Sequence, residues 1–152
     1  MVDNVLINKA ATIERCVARA REEYGKDPAN FAKDHTRQDA AILNIQRACE
    51  AALDMGQHLI FRERLGVPQG ARDVFDLLAR SGWIGVELAD RLKPMVGFRT
   101  IAVHDDQTLH LQITVAIITK HLSGMLDYAQ FILQRDGRDS SGFRPSEQKV
   151  CD

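Results

Sequence analysis

The sequence predicts an all-α fold, an antiparallel four-helix-type bundle with one additional short helix. Apolar residues recur at spacings of three and four along four long segments. Gly and Pro gather between those segments, and no stretch alternates apolar with polar residues as a half-buried strand would. The 152 residues suffice for one domain around one core, and no internal repeat divides them.

Leu6, Ala10, Ile13, Val17, Ala20 and Tyr24 make one face of a first helix, stopped by Gly25 and Pro28. Thr36 followed by Asp39 resembles a capping box, with Asp for the usual Glu. It leads into a second helix over 37–62, marked by Ile42, Ile45, Cys49, Ala52, Leu53 and Leu59. Gly66, Pro68 and Gly70 punctuate the chain before a short helix carrying Ala71, Val74, Phe75 and Leu78, which ends near "SGW". From Gly85, the stripe Leu88, Leu92, Met95 and Ala102 predicts a fourth helix bent near Pro94, since proline removes a donor and crowds the preceding turn. The cleanest stripe, Leu111, Val115, Ile118, Leu122, Met125, Ala129 and Ile132, predicts the last helix. Residues 1–136 thus read as the bundle, and the polar 137–152 as a flexible tail whose Arg138 and Arg144 are solvated.

Twenty Lys and Arg against 21 Asp and Glu leave a formal charge of −1, so no general basic excess marks a nucleic-acid or membrane-surface binder. Any polyanion would be held by a local cluster. Cys16, Cys49 and Cys151 are odd in number and far apart, which argues against a disulfide framework or zinc knuckle and fits a reducing cytoplasm. No signal-like opening and no long apolar run point to a membrane.

Extended at its own spacing, the stripe of the fourth helix puts Arg99 at the next core-facing position. An unpaired guanidinium there would cost roughly several kcal/mol, so Arg99 needs a carboxylate such as Asp39 or Asp106, an interface, or a polar pocket. His104 follows five residues later, about 140° away around a straight helix. The two side chains converge only if the chain leaves the helix near His104 or a second copy supplies the complementary half. Asp105 and Asp106, unfavourable near a helix end, and the capping-competent Thr108 favour the first route; a two-fold pairing favours the second. On pattern alone, His104 also fits a capping or core histidine.

With its surroundings, "FRTIAVHDDQTL" resembles the signature of the HEPN superfamily, an Arg and a His separated by four to six residues. Within that superfamily it is similar to the HepT-type toxins of prokaryotic HEPN/MNT toxin–antitoxin modules, whose motif is R-x4-H-x-Y. The resemblance covers about residues 4–135 and includes "RQDAAILNIQRACEAALDMGQHLI" and "GVPQGARDVFDLLARSGWI". It implies a HEPN-like bundle acting as a homodimer, and a type VII-like toxin that cleaves RNA as a metal-independent endoribonuclease. Arg99 and His104 match the catalytic pair, set in a cleft between two copies, with no cofactor for catalysis. The implied partner is an MNT-type nucleotidyltransferase antitoxin that silences the toxin by AMPylation, with ATP as AMP donor. Such a pair suits RNA, whose 2′-hydroxyl is an internal nucleophile: an imidazole moves the proton while a permanently charged guanidinium neutralises the phosphate.

Two positions depart from the family pattern. Thr100 stands where Asn usually follows the Arg, losing the amide's reach and second donor. Asp106 stands at the position of the motif Tyr, the AMP acceptor, and a carboxylate would carry AMP only as a hydrolysable mixed anhydride. Asp106 can instead mimic a modified tyrosine or pair with Arg99. Thr100, Asp105, Asp106 and Asp39 are therefore supporting or regulatory candidates beside the catalytic pair.

Two other readings compete. A dimetal bundle relies on Glu-x-x-His on two helices, and the sequence has none, so no metal site is expected. His58, His110 and His121 read as surface or boundary residues. The alternative to the nuclease is a non-catalytic helical nucleotide- or protein-binding module, to which Thr100 and Asp106 lend weight.

Overall fold

In the computed structural model, residues 3–98 and 107–141 are described, the side chains of 107–109 and 139–141 excepted. Six α-helices stand among them: α1 (Asn4–Gly25), α2 (His35–Glu63), α3 (Ala71–Arg80), α4 (Val86–Val96), α5 (Gln107–Ala116) and α6 (Leu122–Ser141). A 3-10 turn over Pro28–Lys33 links α1 to α2, and a π-helical turn over Ile117–His121 joins α5 to α6. No strand occurs among the described residues.

The helix directions follow from their ion pairs and hydrogen bonds. Near the start of α1, Asp3 meets His58 and Arg62 at the end of α2, while Arg37 at the start of α2 reaches the Glu23 carbonyl at the end of α1. Helices α1 and α2 are thus antiparallel. Tyr128 binds the Ala52 carbonyl and Arg62 pairs with Asp136, so α6 runs with α2. Cys49 Sγ donates to the Met95 carbonyl at the far end of α4, while Trp83, just before α4, lies under Arg62 and Arg135, so α4 opposes both. Together α1, α2, α4 and the α5–α6 rod make the antiparallel bundle expected from the apolar stripes, with α3 as the short extra helix.

The small residues of α2 permit close packing. Ala41, Ala48, Ala51, Ala52 and Gly56 are buried on it. A Cβ on Gly56 would lie 2.6 Å from Val74 Cγ1 and 2.9 Å from Tyr128 Oη, so glycine there lets α3 and α6 approach the α2 backbone. Tyr128 is fully buried, its hydroxyl donating to the Ala52 carbonyl at 2.7 Å and its ring edge-on to Phe75. Burial pushes the Tyr128 phenol up, well above its ordinary range.

Three sequence expectations need correction. Asp34, not the Thr36–Asp39 pair, caps α2: its carboxylate accepts from the Arg37 amide at 3.1 Å, and Thr36 and Asp39 lie exposed inside the first turns. Helix α4 ends at Val96, where a turn at Gly97 interrupts the predicted helix, and Phe98 is helical again; inside α4, Pro94 leaves the Asp90 carbonyl without its usual donor four residues on, and Ala102, the last position of the predicted stripe, lies outside the described residues. The last stripe is not one uniform α-helix, because its two halves meet in the π-helical turn, which shifts the helical phase. Past the expected boundary at 136, α6 continues to Ser141; Arg144 and the rest of the predicted tail lie outside the described residues.

A charged clasp closes the end of the bundle where α1 begins. Asp3 Oδ1 caps α1 by accepting from the Val5 amide, while its Oδ2 lies 2.7 Å from His58 Nε2 and 3.1 Å from Arg62 Nη1. Arg62 also reaches the buried Asp136 at 2.9 Å, and Asp136 accepts from the Asp3 amide. Burial works to raise the Asp3 carboxyl, but the hydrogen bonds from His58, Val5 and Arg62 outweigh it and hold the group at about 2. Among the described residues, no helix is long and apolar enough to cross a membrane.

Candidate functional site

The motif Arg99-x4-His104, with Thr100, Asp105 and Asp106, lies outside the described residues. Its anchors do not. On one side stands Phe98, fully buried, directly after the α4 terminus, where the Met95 carbonyl accepts from Cys49 Sγ at 3.4 Å. On the other stands His110 in the first turns of α5, its ring stacked on Phe98 with centroids 6.1 Å apart and planes at 24°. The two ends of the motif-bearing segment are therefore pinned to each other and to the core.

Phe98 is the residue the sequence reading missed. The buried positions of α4 run Leu88, Ala89, Leu92 and Met95, and the next buried residue is Phe98, one position before the Arg99 that the stripe had suggested. A spacing of three from Met95 reaches Phe98 and a spacing of four reaches Arg99; both are helical spacings, and the phenyl ring takes the core. His110, read as a boundary histidine, is partly buried, and its Nε2 is enclosed with no hydrogen-bond partner among the described residues. The His110 carbonyl accepts from the buried Thr114 hydroxyl at 2.8 Å, which fixes this turn of α5.

The remaining candidates disperse. Asp39 is exposed near the start of α2. His58 belongs to the clasp and His121 is exposed on the π-helical turn. Among the described residues, no group of three or more His, Cys, Asp or Glu side chains could hold a metal ion.

The sequence profile of the HepT-like ribonucleases matches residues 13–132, a span that contains the motif and both of its anchors. The chain belongs to the HepT-like ribonuclease family. One relative, the mRNA nuclease HepT of Shewanella oneidensis, is 47% identical over 131 residues, which cover 86% of this chain and 96% of the relative. The fold agrees with solved HepT structures at the same level. A MntA–HepT toxin–antitoxin complex superposes with a TM-score of 0.82 at 45% identity, covering 86% of this chain and 98% of that one. The tri-AMPylated Shewanella oneidensis HEPN toxin, in complex with its MNT antitoxin, gives 0.79 at 45% identity over 86% and 97% of the two chains. A further toxin–antitoxin structure, with AMP-PNP, gives 0.79 at 43% identity over the same shares. The HEPN-like fold expected from the motif is thus established along with the HepT-like family.

Proposed function

We propose that this chain is the toxin of a HEPN/MNT toxin–antitoxin pair and cleaves RNA endonucleolytically through Arg99 and His104. The observation that carries this reading is the Arg99-x4-His104 motif, flanked in the sequence by the stacked pair Phe98 and His110, in a chain 47% identical to an mRNA nuclease.

The chemistry needs only these groups and the substrate. His104 takes the proton of the 2′-hydroxyl, whose oxygen attacks the adjacent phosphorus. Arg99 neutralises the charge that builds on the non-bridging oxygens. The bond from phosphorus to the 5′-oxygen breaks, and that oxygen leaves with a proton returned by the His104 of a second copy. The products are a 2′,3′-cyclic phosphate and a 5′-hydroxyl, with no cofactor and no metal consumed. One chain carries a single Arg and a single His in its motif, so a homodimer that brings two motifs together supplies both the base and the acid.

The partner in this reading is an MNT-type nucleotidyltransferase, which uses ATP as AMP donor; MNT antitoxins stand beside the HEPN toxin in the related structures. Asp106 offers no hydroxyl, so it is not a stable AMP acceptor. Its negative charge acts in the same direction as a modified tyrosine would. Thr100 keeps a hydroxyl where the family has an amide, and Asp105 and Asp39 are supporting candidates. End-group analysis of cleaved RNA, with and without chelator, tests the route. Cyclic phosphate ends insensitive to chelator support it, and 5′-phosphate ends reject it.

A further inference from the structure

Trp83, Ile84 and Gly85, in the turn before α4, face Phe131, Arg135 and Arg138 of α6 across an open groove of about 420 Å³. That volume falls within the range of small-ligand sites, large enough for a nucleotide. Phe131 is 54% exposed, an unusual state for a phenyl ring on a helix whose other large apolar side chains are buried or half-buried. Arg135 is held in place: its guanidinium lies over the Trp83 ring at 4.5 Å and donates to the Gly82 carbonyl. Arg138 is exposed one turn further along α6. Among the described residues lining the groove, the charged ones are these two arginines and no acid.

We propose that this groove is a subsite for single-stranded RNA, in which a base lies on Phe131 and a neighbouring phosphate meets Arg138 and Arg135. An exposed aromatic face beside fixed guanidinium groups is the combination that binds a single strand without reading its sequence. Phosphate complements the charge of the groove, and Arg135, already ordered by Trp83, loses little freedom on binding. The groove sits at the start of α4, and Phe98, the described residue that precedes the motif in the sequence, follows its end, so the length of that helix, about 16 Å, separates groove and Phe98. A strand of a few nucleotides spans that distance. The inference rests on the nuclease reading and gives it a second contact point, which favours long single-stranded substrates over short ones.

The test is equilibrium binding of a single-stranded 2′-O-methyl oligonucleotide, long enough to run from motif to groove and unable to be cleaved. Wild type, Phe131→Ala and Arg138→Ser are compared, with thermal melts verifying that these exposed substitutions leave the fold intact. Phe131→Ala is expected to weaken binding about tenfold with an unchanged salt dependence, the loss of one stacked base. Arg138→Ser is expected to weaken binding and to lower the slope of log K against log salt by about 0.7, the loss of one phosphate contact. Variants that bind as tightly as a wild type that cleaves RNA overturn the groove and leave the nuclease reading standing. Variants that keep RNA binding but lose the antitoxin overturn it as well, and reassign the face to a protein. A wild type that neither binds the oligonucleotide nor cleaves RNA overturns both.

Discussion

Phe98 and His110 stack with their ring centroids 6.1 Å apart, closing the ends of the segment that carries Arg99 and His104. A ring pair of this kind contributes beyond its buried area and fixes the two described residues that flank the motif in the sequence. His110 nevertheless contributes a cost, since its enclosed Nε2 has no partner among the described residues.

Replacing the imidazole by a ring without polar atoms separates the two effects. His110→Phe keeps a stacked ring and removes the unpartnered nitrogen, so its stability should match wild type or exceed it by up to about 1 kcal/mol. Phe98→Ala empties a fully buried site and should cost about 3 kcal/mol or more, with RNA cleavage falling as the motif loses its anchor. Urea denaturation reads both. A His110→Phe variant less stable than wild type by 2 kcal/mol or so would contradict the role given to Nε2.

Acid should loosen the clasp at Asp3. Folding lowers this carboxyl from 3.8 to about 2, so ionised Asp3 stabilises the fold fully above about pH 4, and the gain disappears as pH falls towards 2. The shift corresponds to about 2 kcal/mol. Asp3→Asn should therefore lower stability by about that amount at neutral pH, with the gap to wild type narrowing steadily below pH 4 or so. A gap independent of pH would show that the carboxylate's charge is not what matters.

Gly56 tests how closely the helices pack. Alanine is the better helix former by about 1 kcal/mol, which alone would stabilise α2. The added Cβ meets Val74 Cγ1 at 2.6 Å, a stiff β-branched side chain, and the Tyr128 hydroxyl, tethered to Ala52. Overpacking should win, with Gly56→Ala net destabilising by about 1–3 kcal/mol. An unchanged melting temperature would mean that α3 and α6 yield more easily than the geometry implies.

Position 106 tests the relation to the antitoxin. Asp106→Tyr should create an AMP acceptor, read by mass spectrometry as added AMP after incubation with the cognate nucleotidyltransferase and ATP. It should also change the rate of RNA cleavage by removing a negative charge from the motif. Absence of transfer to this variant would detach the modification chemistry from position 106.

Most of the bundle was legible in the sequence because each long helix writes its buried face at a regular spacing: Leu6 to Tyr24, Ile45 to Leu59 and Ile118 to Ile132 all fall on the core or against it. Local competition hid the rest. Asp34 and Thr36 both offer a capping oxygen, and only the backbone shows that Asp34 takes the role. Phe98 and Arg99 both continue the α4 stripe within one residue of each other. The clasp of Asp3, His58, Arg62 and Asp136 joins residues far apart in the chain, which no local pattern reveals. The groove beside Phe131 was invisible for the same reason, and Arg138 had read as part of a solvated tail. The candidate catalytic pair was legible as a motif because its Arg and His sit at a family-specific spacing, and what the fold adds is the pair of anchors around it.

The most direct test of the central claim is the rate of RNA cleavage by purified wild type, Arg99→Ala and His104→Ala side by side. The account predicts cleavage by wild type and a loss of about a hundredfold or more in each variant, with all three equally folded. A wild type without activity, or variants that cleave at the wild-type rate, would contradict it.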